Sequence, residues 1–157
     1  MSESEVPWYA DVVMPALIGA ARRGYGRAMR EALDAAGYDD VPRAGMRMIG
    51  GIARNGPAGP DVSSQLGVRA ERAERVVSAL VARGYVVAEA GEATEQSEDA
   101  ESGPTYVLTD RGQAAAEVSG RAAQAFEDTV RARVGDRDFA TTRAVLGAMV
   151  ELSDRHF

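Results

Sequence analysis

Apolar residues recur along most of the chain at the three- and four-residue spacing of helices that bury one face. In residues 8–36 this spacing predicts one long helix, and the glycine of "AGYDD" ends it. A second helix is predicted over residues 46–53, before the turn-forming sequence "NGPAGP". The sequence "PDVSSQLGV" then predicts a short third helix, with Asp61 as its N-cap and Gly67 as its stop.

The sequence "RAERAERVVSALVARG" has a strong helical pattern, because its apolar and arginine side chains fall on different faces. Gly84 is its predicted stop, and the β-prone runs "YVVAEA" and "TYVLTD" predict the two strands of a hairpin. The sequence from "DRGQAAAEV" onwards predicts two long helices, separated at "VGDRD". Asp138 or Thr141 is the expected N-cap of the second.

This order of elements predicts a mainly α protein with a small β-hairpin. Two helices joined by a glycine-bearing turn and followed by a hairpin form a winged helix-turn-helix. The long amphipathic helices at both ends must bury their apolar stripes, and a second copy of the chain would cover them. We therefore expect one domain over residues 1–157, with the winged helix-turn-helix in 43–109 and dimerisation helices in 1–42 and 110–157.

Composition narrows the classes of function. The chain has 157 residues and no cysteine, which excludes disulfides and thiolate metal sites. His156 is the one histidine, and the sequence has no nucleophile–base pair and no glycine-rich phosphate loop. We therefore expect no enzyme, no metal and no cofactor. The sequence has neither a signal peptide pattern nor an apolar run long enough to span a membrane, so we expect a cytoplasmic protein.

Charge is unevenly distributed along the chain. The net charge of −6 argues against non-specific binding to nucleic acid. The sequence "GEATEQSEDAESGP" between the two predicted strands has five acidic residues and no basic one. Arginine is instead concentrated in "AARRGYGRAMR" and in the strongly helical segment. A basic surface within an acidic protein therefore remains possible.

Two stretches, together with their spacing, resemble the multiple-antibiotic-resistance regulator (MarR) family of transcription factors. They are "ARNGPAGPDVSSQLGVRAERAERVVSALVARGYV" and "VLTDRGQA", where Thr109 is the expected N-cap of the following helix. The resemblance covers nearly the whole chain. It implies a homodimer whose terminal helices interlock, with a winged helix-turn-helix on each subunit for DNA. It also implies a small phenolic or acidic ligand between the two regions.

The resemblance assigns the DNA contacts to the short third helix and to the recognition helix that follows it. Arginine suits bidentate contacts with guanine edges and phosphates. The candidate DNA-binding residues are Arg69, Arg72, Arg75, Ser63 and Ser64. A two-fold protein reads a two-fold site, so the expected partner is double-stranded DNA with a near-palindromic operator. In isolation, the same arginines also fit a solvated face paired with Glu71 and Glu74.

The hairpin departs from the family pattern. Family members carry an arginine at its tip that enters the minor groove, whereas residues 88–104 hold six acidic residues and no basic one. These are Glu89, Glu92, Glu95, Glu98, Asp99 and Glu101. The stretch fits a solvated insertion, an autoinhibitory DNA mimic, or a docking site for a basic partner.

A ligand cavity is also expected, since such sites are apolar with a few polar anchors. The candidate ligand-binding residues are Trp8, Tyr9, Arg22, Tyr25 and Met46, with Met14, Met48 and Arg23 as further members. The same aromatic and methionine side chains also fit a core or a dimer interface. Two functions remain open: a DNA-binding repressor relieved by a small ligand, and a winged-helix antirepressor or adaptor with reduced or lost DNA binding.

Overall fold

The computed structural model describes residues 7–59, 61–89 and 103–154. Its elements confirm the predicted mainly helical fold with one hairpin. The helices are α1 (Met14–Ala35), α2 (Gly45–Asn55), α3 (Val62–Leu66), α4 (Ala70–Ala82), α5 (Asp110–Val134) and α6 (Asp136–Asp154). The strands are β1 (Val86–Glu89) and β2 (Thr105–Leu108). No helix in these ranges is long and apolar enough to cross a membrane.

Two predicted helix starts are wrong. The first helix begins at Met14 rather than at residue 8, with a proline in its first turn, where the missing N–H needs no partner. The last helix begins at Asp136, immediately after Gly135, because the positive φ of this glycine (86°) ends α5 within one residue. Asp138 therefore lies in the first turn of α6. Thr141 lies inside the helix, and its hydroxyl donates to the Arg137 carbonyl (2.9 Å).

The predicted caps around the helix-turn-helix are confirmed. The Asp61 carboxylate accepts a hydrogen bond from the Ser64 N–H (3.2 Å) at the start of α3. Gly67 ends α3 in the left-handed conformation (φ 61°), and Gly84 (φ 71°) follows the end of α4. The Thr109 hydroxyl oxygen accepts from the Gly112 N–H (3.0 Å) and begins α5. Each cap fixes where a helix starts or stops, so the turn between α3 and α4 has a defined length.

The core lies between α2, α4, β1 and the first half of α5. Its largest fully buried side chains are Leu33, Leu80, Tyr85 and Val86. Packing is tightest where α5 begins, because a Cβ atom on Gly112 would lie 2.0 Å from the Tyr85 carbonyl oxygen. A smaller residue does not exist, so glycine is required for this approach.

The hairpin is antiparallel, with Val86 opposite Leu108 and Glu89 opposite Thr105. A bridge from Ala58 to Tyr106 joins its second strand to the segment after α2. Of the six acidic residues of the hairpin, Glu89 is described and exposed. Glu92, Glu95, Glu98, Asp99 and Glu101 lie outside the described residues, as does His156.

Candidate nucleic-acid interface

Helix α4 has a buried face and a charged face. Ala73, Val76, Val77 and Leu80 are buried against the core. Arg72 and Arg75 are exposed on the other side, and Arg69 is exposed at the N-cap position of the helix. The three candidate arginines thus extend from the start of α4 over its first two turns. Burial of the apolar stripe orients this arginine face towards solvent.

The acidic residues of α4 share its exposed surface. Glu71 and Glu74 are both exposed. In the described part of the chain neither carboxylate forms an ion pair with an arginine. The Arg75 Nε donates to the backbone carbonyl of Glu71 (3.2 Å), which leaves the carboxylate of that residue to solvent. The paired Arg–Glu face expected as an alternative does not form, so the arginine heads remain available to a ligand.

Ser63 and Ser64 lie in α3, next to the turn that leads into α4. The Ser63 hydroxyl donates to the Asp61 carboxylate (2.9 Å), and the Ser64 backbone N–H donates to the same oxygen (3.2 Å). The hydrogen bond from Ser64, with that from Ser63, lowers the pKa of Asp61 below its ordinary value. Ser64 is exposed and Ser63 is half-buried. Ser63 thus supports the cap, whereas the Ser64 side chain faces solvent.

A cluster of three residues, here called the Asp40 cluster, holds the end of α4 against the start of α5. The Tyr85 hydroxyl donates to the Asp40 carboxylate, and the Arg111 guanidinium donates to the same group (3.1 Å). That guanidinium also lies 4.4 Å from the centre of the Tyr85 ring and donates to the Arg83 carbonyl (2.7 Å). The cluster joins the loop after α1, the C-terminal end of α4 and the first turn of α5.

The protonation states of Tyr85 and Asp40 in the cluster do not change near neutral pH. Burial, followed by the hydrogen bond to Asp40, raises the pKa of Tyr85 to about 12. The hydrogen bond from Tyr85 lowers the pKa of Asp40, and the nearby Arg111 charge acts in the same direction. The phenol therefore stays protonated and the carboxyl stays ionised over the physiological range.

The candidate ligand residues lie in three places. Trp8 and Tyr9 are exposed before α1 and pack edge to face with each other (5.7 Å between ring centres). Arg22 and Met46 line one groove of about 610 Å³ between α1, α2 and α5. Tyr25 lies in an apolar groove of about 640 Å³ between α1, α5 and α6, against Phe126 (4.6 Å).

Of the five candidates, Arg22 and Met46 therefore line one groove together, whereas Tyr25 lines the other. Burial raises the pKa of Tyr25, with Glu127 acting in the same direction. Of the further members, Met48 is buried in the core, and Met14 and Arg23 are exposed.

Sequence reasoning missed the other arginines of the first groove. Arg43, Arg47 and Arg54 line it together with Arg22. Positions 43, 47 and 54 recur at helical spacing, so a helical projection of "RAGMRMIGGIARNG" would have placed them on one face. In the described residues no group of three or more acidic or histidine side chains could hold a metal ion.

No family model matches the sequence, and comparison with curated proteins gives no match either. Solved structures do match. A MarR family transcriptional regulator from Silicibacter pomeroyi superposes with a TM-score of 0.72, at 16% identity, over 95% of each chain. NadR in complex with 4-hydroxyphenylacetate gives 0.70 at 17% identity, over 91% of this chain and 98% of that one. Wild-type MarR from E. coli gives 0.65 at 18% identity, over 88% and 97%.

The chain has the MarR fold. At these identities the likeness establishes the winged-helix architecture. Solved structures that share this fold include transcriptional regulators from Thermotoga maritima and Silicibacter pomeroyi. The arginine face of α4 lies on the second helix of the helix-turn-helix of this fold. In such a motif the second helix is the one that enters the major groove of DNA.

Proposed function

We propose that the chain is a homodimeric, sequence-specific DNA-binding transcriptional regulator, a repressor relieved by a small ligand. Residues 43–109 form the DNA-binding winged helix-turn-helix. Residues 1–42 and 110–157 form the dimerisation region. The partner is double-stranded DNA with a near-palindromic operator, because two related recognition helices read two related half-sites.

The exposed arginine face of α4 carries this proposal. Arg69, Arg72 and Arg75 project from a helix whose opposite side is buried in the core. Their guanidinium groups are free of ion pairs within the described part of the chain. Arg72 and Arg75 are suited to base edges or phosphates, and Arg69 at the N-cap is suited to a phosphate. Ser64 adds an exposed hydroxyl one element earlier.

Exposed apolar residues on the terminal helices support a homodimer. Val145, Leu146, Met149 and Leu152 of α6 are all exposed in the single chain. Trp8, Val13, Met14 and Ile18 expose a second apolar surface around the start of α1. Monomeric proteins rarely leave so many large apolar side chains in water, and a second copy would bury both surfaces at once.

The groove between α1, α2 and α5 supports a small acidic effector. Arg22 provides a cationic anchor and Met46 an apolar contact. The groove separates helices of the DNA-binding part from helices of the dimerisation part, so a ligand there contacts both. The phenolic acid bound to NadR is a ligand of this chemical type on the same fold.

The negative charge near the DNA-binding surface favours a second function. Glu71 and Glu74 are exposed beside the arginines, and the hairpin sequence is acidic with no basic residue. Six carboxylates near a phosphate backbone would repel it over a Debye length of about 10 Å at 0.1 M salt. The alternative is a winged-helix antirepressor or adaptor that acts through protein contacts.

A binding assay separates the two functions. Fluorescence anisotropy with DNA flanking the protein's own gene, at two salt concentrations, should give specific binding that weakens as salt rises. Arg72→Ala should reduce affinity by about tenfold, because one good base contact contributes about 1–3 kcal/mol of discrimination. Arg133→Ala is the matched control, since this exposed arginine lies on α5, away from α4.

The triple variant decides the assignment of α4. If Arg69, Arg72 and Arg75 can all become alanine without loss of affinity for the same site, the recognition helix is assigned wrongly. If the wild-type protein binds no DNA from its own locus at low salt, the adaptor function takes its place.

A further inference from the structure

The groove between α1, α2 and α5 has an apolar lining and an excess of positive charge. Met29, Met46 and Ala53 contribute apolar surface. Its volume of about 610 Å³ lies within the range of small-ligand sites, about 300–1,000 Å³. Gly26, Gly50 and Gly120 also line it, and the absence of their side chains leaves the space open.

Arg54 contacts one of these glycines, Gly50. A Cβ atom on Gly50 would be 3.4 Å from a guanidinium nitrogen of Arg54. The side chain of Arg54 therefore runs back along α2 beside position 50. Because Gly50 lines the groove, this contact places the cationic head at the groove wall.

The arginines outnumber the acids of the groove, and three of the four lack partners in the described residues. Four arginines and two glutamates line it, although the chain as a whole has a net charge of −6. Arg47 donates to the Leu66 carbonyl (2.5 Å) and so helps to cap α3. Arg22, Arg43 and Arg54 form no ion pair within the described ranges, and their side chains donate no hydrogen bond there.

Both glutamates of the groove already have partners. Glu117 pairs with Arg121 (3.9 Å) and accepts a hydrogen bond from Gln113 (3.3 Å). Glu127 pairs with Arg143 of α6 (3.4 Å), outside this groove. The charge of the three unpaired arginines is therefore not neutralised by the acids beside them, and an anion entering the groove would neutralise it.

The number of unpaired arginines indicates how many anionic groups that ligand carries. A single carboxylate holds one or two guanidinium forks, so it leaves at least one of these arginines unpaired. A ligand with several separated anionic groups can reach all three.

We propose that this groove binds a small polyanion, carrying two or more phosphate or carboxylate groups, through Arg22, Arg43 and Arg54. Arginine is well suited to both groups because its planar fork forms bidentate hydrogen bonds with either. The polyanion acts as the effector, and that part of the inference rests on the proposed DNA-binding function. Binding of the polyanion to the groove does not depend on that function.

The position of the groove gives the polyanion a route to the DNA-binding surface. Arg43 and Arg54 belong to the α2 side, whereas Arg22 belongs to α1. A ligand that holds the two sides together favours one orientation of the winged helix relative to the terminal helices. The ligand then changes the affinity for DNA. Thermodynamic linkage limits this change to the ratio of the affinities of the ligand for the two orientations.

Calorimetry on the full chain, without DNA and in a buffer without phosphate, tests the proposal. The probes are inorganic pyrophosphate, tripolyphosphate and citrate, with 4-hydroxyphenylacetate as the monoanion. We expect at least one polyanion to bind about tenfold or more tightly than the monoanion, since each added charge-assisted contact contributes about one factor of ten. Pyrophosphate binding more tightly than citrate identifies a phosphate ligand, and the reverse order a polycarboxylate.

The variants locate the site. Arg43→Gln with Arg54→Gln should weaken polyanion binding by about a hundredfold, two contacts at about tenfold each. Arg133→Gln removes one positive charge from an exposed position of α5 outside the groove and should leave polyanion binding unchanged. Thermal unfolding of the double variant checks that the fold is retained.

Two results would overturn the proposal. The first is that none of the three polyanions binds, and the second is that the double variant binds them as tightly as the wild type. If the double variant in that second case also loses DNA affinity, these arginines contact the DNA backbone instead. If pyrophosphate binds but the protein recognises no DNA, the polyanion site is supported and the proposed regulatory function is rejected.

Discussion

The winged helix and the terminal helices are packed in opposite ways. Around α2, α4 and β1 the apolar side chains are enclosed by the same chain, and Leu80 and Tyr85 are fully buried. Along α6 no described side chain is buried, and Leu152 is 57% exposed. The winged helix thus has a core of its own, whereas α6 has an apolar surface without one. One part of the molecule encloses its apolar side chains within the single chain, whereas the other leaves them exposed.

The contrast predicts that substitutions in the two parts act on different properties. A change in the winged-helix core should alter the free energy of unfolding. A change on α6 should alter association between subunits and leave the winged helix intact. Because a dimer gains apparent stability with concentration, each comparison below needs equal protein concentrations.

The largest effect is expected for Gly112→Ala. Its new Cβ atom would lie 2.0 Å from the Tyr85 carbonyl oxygen and 3.2 Å from the Leu108 side chain, so α5 must move away from β1. We expect a loss of about 3 kcal/mol in the free energy of unfolding, measured by denaturant titration. Gly120→Ala is the control on the same helix, since nothing lies within 4 Å of its Cβ position.

That control should be neutral or stabilising by up to about 1 kcal/mol, because alanine has the higher helix propensity. Equal stability of Gly112→Ala and the wild type would show that the start of α5 is less tightly packed than the geometry indicates.

The next largest effect is expected on α6. Changing Leu146 and Met149 together to Glu places two charges in the apolar surface that a second copy would cover. We expect the dimer dissociation constant to rise by about a hundredfold or more, measured by sedimentation at several concentrations. Thr141→Glu adds one charge to an exposed polar position of the same helix and should leave the dimer intact. A wild-type chain that sediments at 16.6 kDa at micromolar concentration would contradict the dimer altogether.

A smaller effect is expected from Tyr85→Phe, which removes the hydrogen bond to Asp40 from the winged-helix side. At pH 7 the loss should be about 1 kcal/mol of unfolding free energy. The hydrogen bond lowers the pKa of Asp40 in the folded state, so its contribution is present above the unfolded carboxyl pKa of about 3.9. It is lost as pH falls through the folded value.

Wild type and Tyr85→Phe should therefore become more alike in stability between pH 5 and pH 2. Val87→Ala is the control on the neighbouring strand position, since this residue is exposed and its stability difference should not follow the Asp40 titration. A difference that stays constant over that range would mean that Asp40 does not depend on the phenol.

The smallest effect concerns the acidic residues of the hairpin. Changing Glu92, Glu95, Glu98, Asp99 and Glu101 to Gln or Asn should tighten DNA binding by about threefold at ~50 mM salt. The gain should shrink at ~300 mM, because salt screens repulsion between separated charges. Equal affinities of wild type and variant at both concentrations would reject repulsion. Unchanged DNA affinity together with loss of a basic partner protein in a pull-down would favour the docking alternative.

Local signals made much of the fold predictable from the sequence. Asp61, Gly67, Gly84 and Thr109 each fix a helix end through contacts within a few residues, so their roles can be read along the chain. The spacing of Val76, Val77 and Leu80 likewise defines the buried face of α4. The start of α1 was predicted too early because the apolar residues before Met14 continue the helical pattern while lying in turns.

Contacts between distant residues were not predictable. Asp40 meets Tyr85 across 45 positions and Arg111 across 71, and no local spacing brings them together. The groove between α1, α2 and α5 has the same character, because Arg22 comes near Arg43 and Arg54 only when α1 and α2 both pack against α5. The scatter of Trp8, Tyr9 and Tyr25 over separate surfaces has a related cause. Their shared aromatic character carries no information about where each helix will lie.

The joint between α4 and α5 has a mechanical consequence. The Asp40 cluster and the close approach at Gly112 fix the C-terminal end of α4 to the first turn of α5. Helix α5 has 25 residues and is therefore about 37 Å long. Its far end lies beside α6. If α5 tilted as a rigid rod by about 5° about that end, α4 would move through about 3 Å, comparable with the length of one hydrogen bond.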